Sequence, residues 1–334
     1  MTILVAPLNW GLGHAGRCVP LVQRFLDEGH EVILGGDGES LTLLRRHFPK
    51  LRYVYLAPLQ LRYGKGRSQV WTMLKALPRL LRWAVQDHTM LQAVLREEHI
   101  DRVVSDNRFG LYSRNTECIY ITHQLHIRLP EGWRWAEPLA AKIHARIYTR
   151  YNKVWVPDYE EQEKSLSGEL GHPQKSFVHR TSSLCTLSYI GPLSRFQNNP
   201  NNPINQNNLN SPSYSTVAVL SGLEPHRTLL EQEITARYYG KEEQVLIVQG
   251  LLHRPNTRIK RGNLTIVPSM GDKELASALL GAKHIIVRSG YSTIMDLEAL
   301  GLLNSQPPVI EFIPTPGQPE QEYLAFWVQK RTSE

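Results

Sequence analysis

The chain has 334 residues, 41% hydrophobic and 21% charged, with a formal net charge of +7. That composition excludes a disordered or membrane-spanning protein, and the length exceeds one comfortable core and predicts two domains. No apolar run approaches the roughly 20 residues of a membrane helix, and Cys18, Cys118 and Cys185 are too few and too widely spaced for a disulfide framework or a zinc cluster.

The first seven residues, Met1 to Pro7, carry no basic region ahead of their apolar stretch, so they read as a buried strand and not as a secretion signal. Together with the cysteines, read as small packing residues, this implies a reducing cytoplasm. Ile3–Ala6, Glu31–Leu34, Arg52–Leu56, Arg102–Ser105 and Cys118–Thr122 are expected strands. Val19–Glu28, Leu41–His47 and most of Trp71–Glu98 are expected helices, the last kinked or split at Pro78. Such alternation predicts a parallel sheet covered by helices on both faces. Residues 197–213, rich in Asn, Pro and Ser, read as a linker or insertion. The alternation then restarts with strands at Thr216–Leu220, Gln244–Val248, Leu264–Val267, His284–Val287 and Val309–Phe312. Helices are expected between them at Thr228–Tyr238, Lys273–Leu280 and Ser292–Leu300. The expected organisation is one α/β domain over residues 1–196 and a second over 214–334.

The charge is unevenly spread. Residues 1–185 hold 25 Lys and Arg against 18 Asp and Glu, whereas residues 186–334 hold 13 of each. Between residues 40 and 86 there are ten basic residues and no acidic one, interleaved with Trp71, Leu74, Leu77, Leu80, Leu81 and Trp83. Residues 45–83 therefore read either as a cationic surface with apolar anchors for an anionic membrane, or as a solvated face over a core helix. Nucleic acid is not expected as a partner, because no basic motif of a known DNA- or RNA-binding module is present.

Five turns carry candidate chemistry. Gly11, Gly13 and Gly16 with His14 follow the first strand, where glycines admit a ligand to the backbone. The pattern G-x-G-x-x-G, with Asp37 about 20 residues further on, also fits a dinucleotide fingerprint. An imidazole in that turn suits an acceptor-activating base, or it caps the turn. Asp106 and Asn107 end a later strand, where Asp106 would orient His14 or cap a loop. His123 ends the next one, as a cleft residue or a satisfied structural histidine. Ser221 and Gly222 before Arg227 offer amides to phosphate. Arg288, Ser289, Gly290 and Ser292 open a helix that carries Asp296 one turn in, within reach of a ribose diol. Gln318, Glu320 and Gln321 follow a proline turn and suit sugar hydroxyls.

These residues in this order, with Gly191-Pro192-Leu193-Ser194-Arg195 before the linker, resemble the GT-B glycosyltransferases related to the peptidoglycan-precursor N-acetylglucosaminyltransferase and to galactolipid synthases. Uncharacterised bacterial glycosyltransferases are similar too. The resemblance spans most of the chain outside the linker and is strongest at residues 284–325. It implies an α/β fold of two Rossmann-like domains facing a central cleft. It also implies transfer of a hexose or N-acetylhexosamine from a nucleotide diphosphate sugar, UDP-linked by preference, to a lipid-linked or envelope glycan acceptor. His14, with Asp106, would then serve the acceptor side with Gly11, Gly13, Gly16, Asn107 and His123. The donor side would comprise Arg195, Ser221, Gly222, Arg288, Ser289, Gly290, Ser292, Asp296, Gln318, Glu320 and Gln321. No metal and no bound cofactor are expected, the nucleotide sugar being a co-substrate. The charge on the acceptor half implies a cytoplasmic protein peripheral to the inner face of the cell membrane. Members of the family continue past the position of Tyr323 with helices that return to the first domain, so this chain is expected to have a shortened end or to close its cleft differently. A nucleotide-sugar epimerase, an NAD(P) dehydrogenase and a non-catalytic glycan- or membrane-binding protein are the alternatives the residues leave open.

Overall fold

The computed structural model describes residues 1–59, 69–172, 185–197, 214–255, 257–304 and 308–333, with backbone alone at 69–75 and 333. The expected linker over 197–213 lies outside the described residues except at its first position.

Two sheets form the core. The first contains β1 (Thr2–Pro7), β2 (Glu31–Gly36), β3 (Tyr53–Tyr55), β4 (Arg102–Asp106), β5 (Glu117–Ile121), β6 (Lys153–Val156) and β7 (Thr186–Tyr189). Their order is β3-β2-β1-β4-β5-β6-β7, and every pairing is parallel. The second contains β8 (Thr216–Val219), β9 (Val245–Val248), β10 (Ile259–Arg261), β11 (Leu264–Val267), β12 (His284–Val287) and β13 (Val309–Phe312), in the order β10-β11-β9-β8-β12-β13. Only the edge strand β10 runs antiparallel. The central strands are covered on both faces, which is why they read as continuous apolar runs such as Ile3–Ala6 and Ile285–Val287. In each sheet the order reverses beside the first strand, at β1/β4 and at β8/β12, and a crevice opens at the carboxyl ends of strands on either side of such a reversal.

The helices are α1 (Gly13–Asp27), α2 (Gly38–His47), α3 (Gln69–Glu97), α4 (Glu137–Tyr148), α5 (His226–Tyr238), α6 (Asp272–Leu280), α7 (Tyr291–Ala299) and α8 (Pro319–Ser333). Helix α1 starts six residues before its expected start, and α3 runs unbroken through Pro78, so the expected split does not occur. β6, β7, β10 and α4 were not expected. Among the described residues no helix is long and apolar enough to cross a membrane.

Helix α8 follows the second sheet but packs against the first half of the chain. The Trp327 indole donates to the Ser165 carbonyl at 3.0 Å, Arg331 to the Lys164 carbonyl at 2.7 Å, and the Tyr323 hydroxyl accepts from the Glu169 amide at 2.8 Å. Gly168 lies beneath them with φ +53°, and a Cβ there would come within 2.3 Å of the Tyr323 hydroxyl. Glycine is thus required by both conformation and space. The helix that returns to the first half is α8 itself.

Arg108 is fully buried behind the carboxyl edge of the first sheet. It donates to Asp87 at 2.6 and 3.1 Å, to Asp37 at 2.7 Å and to the Ala57 carbonyl at 2.8 Å, with its guanidinium over the Trp83 ring. A buried cation between two carboxylates is costly to break, because the acids left behind cannot regain their water. Arg108→Met is therefore expected to destabilise the chain by about 3–5 kcal/mol. Urea denaturation checks this, and a midpoint no lower than that of a surface substitution would show the triad to contribute nothing.

Candidate functional site

The early start of α1 decides the geometry. With Gly13 as its first residue, His14 and Arg17 lie one turn apart on the same helix face, and both reach the end of β4. His14 Nδ1 is 3.0 Å from Asp106 Oδ1. Arg17 Nε donates to Asp106 Oδ2 at 2.6 Å, and its Nη2 donates to Oδ1. The same Nη2 is 3.0 Å from His14 Nδ1, and Nη1 is 3.3 Å from His123 Nδ1. Burial pushes the Asp106 carboxyl up, but Arg17 and His14 outweigh it and hold the group well below the usual carboxylate range. Burial lowers the His14 imidazole; the Asp106 charge opposes this, while Arg17 and His123 reinforce it, and the net effect keeps the ring neutral.

The second half meets this cluster directly. His123 is buried, its ring stacked on Tyr291 at 4.3 Å and 8°, and its Nε2 is 2.8 Å from Glu320 Oε1. Burial raises Glu320, but the bond to His123 and the charges of His123, His14 and Arg17 together outweigh it, and the group stays ionised at lower pH than an ordinary glutamate. The Tyr291 hydroxyl donates to the Pro157 carbonyl at 2.7 Å. Gly13 faces the start of α7 so closely that a Cβ would come within 2.6 Å of Ser292 Oγ. Two helix N-termini, α1 and α7, thus converge where the two carboxyl edges face each other.

Several expected donor residues have other tasks. Arg288 was expected to face the donor. It is buried, donating to the carbonyls of Ile313 at 3.0 Å, Pro314 at 2.9 Å and His226 at 2.8 Å, so it binds three loops of the second sheet together. Ser289 Oγ donates to the Gln321 carbonyl at 2.7 Å, and the Gln321 side chain accepts from the Thr315 amide at 2.8 Å. The Gln318 carbonyl accepts from the Glu322 amide at 3.1 Å in the first turn of α8. Asp296 accepts from Ser194 Oγ at 2.6 Å and lies 3.6 Å from Arg195, which also approaches Asp272 at 3.4 Å. Burial and the Asp272 charge push Asp296 up to about 6 against the pull of Arg195 and Ser194. Gly290 has an ordinary φ of −70° and open space where a Cβ would point, so neither conformation nor packing demands glycine there. Ser221 and Gly222, with φ +92° at the glycine, remain at the mouth of the β8 turn, whereas Arg227 is spent on Glu224 at 2.6 Å.

On the acceptor side, Gly11 adopts φ +82° before α1, and Gly16 packs against Arg195. Asn107 has φ 58° and accepts from the Tyr120 hydroxyl at 2.9 Å. Asp37, which a dinucleotide fingerprint would turn to a ribose, is engaged by Arg108 and by Asn9 at 2.9 Å. The residues missed from sequence are Arg17, Tyr291 and Ser194. Arg17 carried one signal: it stands three residues after His14, a helical spacing hidden by placing the helix start at Val19.

Known proteins can now be set beside this geometry. The chain matches no protein-family model. It is 28% identical over 173 residues to an uncharacterized glycosyltransferase of Methanosarcina mazei, a match covering 48% of this chain and 44% of that one. The aligned segment thus spans less than half the length of that relative. Among solved structures, the glycotransferase of kitacinnamycin superposes with a TM-score of 0.58 at 14% identity, over 98% of this chain and 83% of that one. The spinosyn rhamnosyltransferase SpnG in complex with thymidine diphosphate gives 0.53 at 13%, over 100% and 90%. Two parallel sheets with carboxyl edges facing across a cleft, matched over nearly the whole length of such enzymes, give this chain the GT-B glycosyltransferase fold.

Proposed function

We propose that the chain is a glycosyltransferase that moves a hexose or N-acetylhexosamine from a nucleotide diphosphate sugar, UDP-linked by preference, to a lipid-linked or envelope glycan acceptor. The observation that carries this reading is the His14–Asp106 pair at the first switch point, facing Glu320 and the N-terminus of α7 at the second. His14 Nδ1 is engaged by its neighbours, which leaves Nε2 to take the proton of an acceptor hydroxyl as its oxygen attacks the anomeric carbon. On the donor side, the amides after Gly290, the Ser292 hydroxyl and the positive end of α7 stabilise the leaving diphosphate, and Asp296 takes the ribose. Glu320 and Gln321 hold the sugar. In this reading no resident metal or cofactor takes part. The thymidine diphosphate bound by the similar rhamnosyltransferase supports a nucleotide sugar as donor.

An amphiphilic acceptor is supported by the outer surface of the first half. Helices α3 and α4 cover one face of the first sheet, both contributing to the apolar cluster around Val103, Cys118 and Val154. Their outward sides expose Leu77, Leu81 and Val85 on α3, and Trp135, Leu139 and Ile143 on and before α4. Arg79 and Arg82 on α3 and Lys142 and Arg146 on α4 alternate with them along the sequence, all exposed. The expected patch over 45–83 is narrower than its sequence suggests. Trp83 is core, Arg52 is paired with Glu98 and Glu31, Arg46 donates to the Leu252 carbonyl, and Trp71 and Leu74 fall where side chains are not described.

Four tests follow from these assignments. Thermal shift with UDP, thymidine diphosphate, GDP and NAD is expected to show protection by a nucleoside diphosphate. His14→Ala should then lower turnover about 100-fold or more with donor affinity nearly unchanged; full turnover in that variant would make His14 structural. Asp296→Asn separates stability from binding. An acid whose folded value is raised to about 6 loses stability on ionising, a loss recovered as pH falls through 6 toward its unfolded value. The variant should therefore gain on the order of 1 kcal/mol at pH 7.5, roughly 2–4 °C in Tm, while binding nucleotide about tenfold more weakly. Unchanged nucleotide affinity by calorimetry removes Asp296 from the donor site. Finally, the protein should cosediment with anionic vesicles at low salt and release as ionic strength rises, each basic residue adding about 1 kcal/mol. Leu81→Glu should weaken this, and a protein that ignores anionic vesicles at low salt has a soluble acceptor.

A further inference from the structure

Arg17 touches Asp106, His14 and His123 at once, and its chemistry constrains the imidazoles beside it. A guanidinium donates and never accepts, and it stays charged at any working pH. Its Nη1 lies 3.3 Å from His123 Nδ1, so that nitrogen is the bare one and the His123 proton is on Nε2. Nε2 in turn lies 2.8 Å from Glu320 Oε1, and an ionised carboxylate only accepts. The two contacts agree on one tautomer. A second proton on His123 would bring its N–H against an N–H of Arg17.

His14 is placed differently, because its Nδ1 is 3.0 Å from both Asp106 Oδ1 and Arg17 Nη2. Arg17 already gives two N–H groups to Asp106, so the charge that would draw a second proton onto His14 is compensated. The other groups facing this cluster do not supply that compensation. Cys18, 3.6 Å from Asp106 Oδ2, is kept neutral by burial; Tyr291 is buried with its hydroxyl on Pro157; Glu320 adds negative charge. Arg17 is the cation that balances Asp106.

We propose that Arg17 is a positioning residue that, together with Glu320, fixes the proton of His123 on Nε2 and, by compensating the charge of Asp106, leaves His14 neutral. What that neutrality serves rests on the reading of His14 as the acceptor base. The protonation states do not, and they can be measured without any substrate.

Long-range proton–nitrogen correlation on histidine-labelled protein reads them directly, with His14→Gln and His123→Gln variants assigning the signals. The wild type is expected to show His123 protonated at Nε2, and His14 neutral, at pH 7. In Arg17→Met the uncompensated Asp106 should draw a proton onto His14, so its titration moves to higher pH. His123, still bonded to Glu320, should become a mixture of tautomers only when Glu320→Gln is added, while Glu320→Gln alone keeps the proton on Nε2. Arg17→Lys restores the charge without the planar fork, so His14 should stay neutral, while with Glu320→Gln His123 still loses its single tautomer. If Arg17→Met fails to fold, Arg17→Lys with Glu320→Gln decides, since an unchanged His123 tautomer there overturns the proposal. So does a wild-type His123 protonated at Nδ1. Where transfer is measured, kcat/KM of Arg17→Met should fall about tenfold at pH 6, with Arg17→Lys near wild type, and recover as pH rises. A protein that shows these tautomers yet transfers no sugar to any acceptor retires the base reading and leaves the assignment of Arg17 standing.

Discussion

A carboxylate without exposure to water ends the fourth strand of the first sheet, and the centre of the molecule is arranged around keeping it charged. Asp106 cannot remain ionised there unless donors replace its hydration, and Arg17 supplies two of them. For Arg17 to reach it, α1 must already be helical at Gly13. That in turn sets His14 on the same face and brings the helix N-terminus against Ser292 of the second half. The guanidinium's remaining N–H groups meet His123, and His123 meets Glu320. A single buried ion pair thereby links the turn after β1, the ends of β4 and β5, and the start of α8.

The second sheet solves its own problem with different means. Its loops after β12 and β13 and the start of α5 are gathered by Arg288 through three backbone carbonyls, with no carboxylate among its hydrogen-bond partners. Burial accordingly lowers that guanidinium, the reverse of Arg17 and Arg108, where the acids win. The carbonyls it satisfies would otherwise face an apolar interior unpaired. Asp296 is the uncomfortable member of this half: one turn into α7, with Asp272 nearby, it is held up to about 6 although Arg195 and Ser194 approach it. A strained acid at the mouth of a helix N-terminus is the sort of cost a ligand's hydroxyls can relieve.

Much of the fold was legible in the sequence because parallel strands buried on both faces write themselves as apolar runs between helices. β6 and β7 escaped because Lys153–Val156 and Thr186–Tyr189 are only four residues long, the second of them half polar, and α4 because Leu139 and Ile143 face outward while His144 and Tyr148 face in, which blurs the apolar stripe. The start of α1 was misplaced for a physical reason: Gly11, Gly13, Gly16 and Pro20 are poor helix formers, and tertiary contacts at Asp106 override them. Placing it late separated His14 from Arg17. The carbonyl partners of Arg288 were not legible, because a basic residue in a Ser-Gly turn looks the same whether it meets phosphate or carbonyl. Within α3, periodicity did not tell Trp83, which is core, from Leu81, which is exposed.

Contacts across the cleft are of two kinds, and one is apolar: Leu193 and Phe196 of the first half share a buried cluster with Tyr291, Met295, Leu324 and Val328. Glu320 to His123, Tyr291 to the Pro157 carbonyl, Ser194 to Asp296 and Arg46 to the Leu252 carbonyl are single polar bonds. Each contributes about 0.5–1.5 kcal/mol net, somewhat more where a charge takes part. These bonds can exchange partners while the apolar contact holds, so a ligand bound between the halves shifts the balance by whatever it gains in one arrangement over another. Glu320 is the residue on which this turns. A sugar hydroxyl that takes its carboxylate must first displace the His123 proton, and His123 keeps its other nitrogen on Arg17 and its face on Tyr291. In the proposed reading donor and acceptor sides are coupled through one imidazole, and the coupling is reciprocal because it is a free energy shared by both sites.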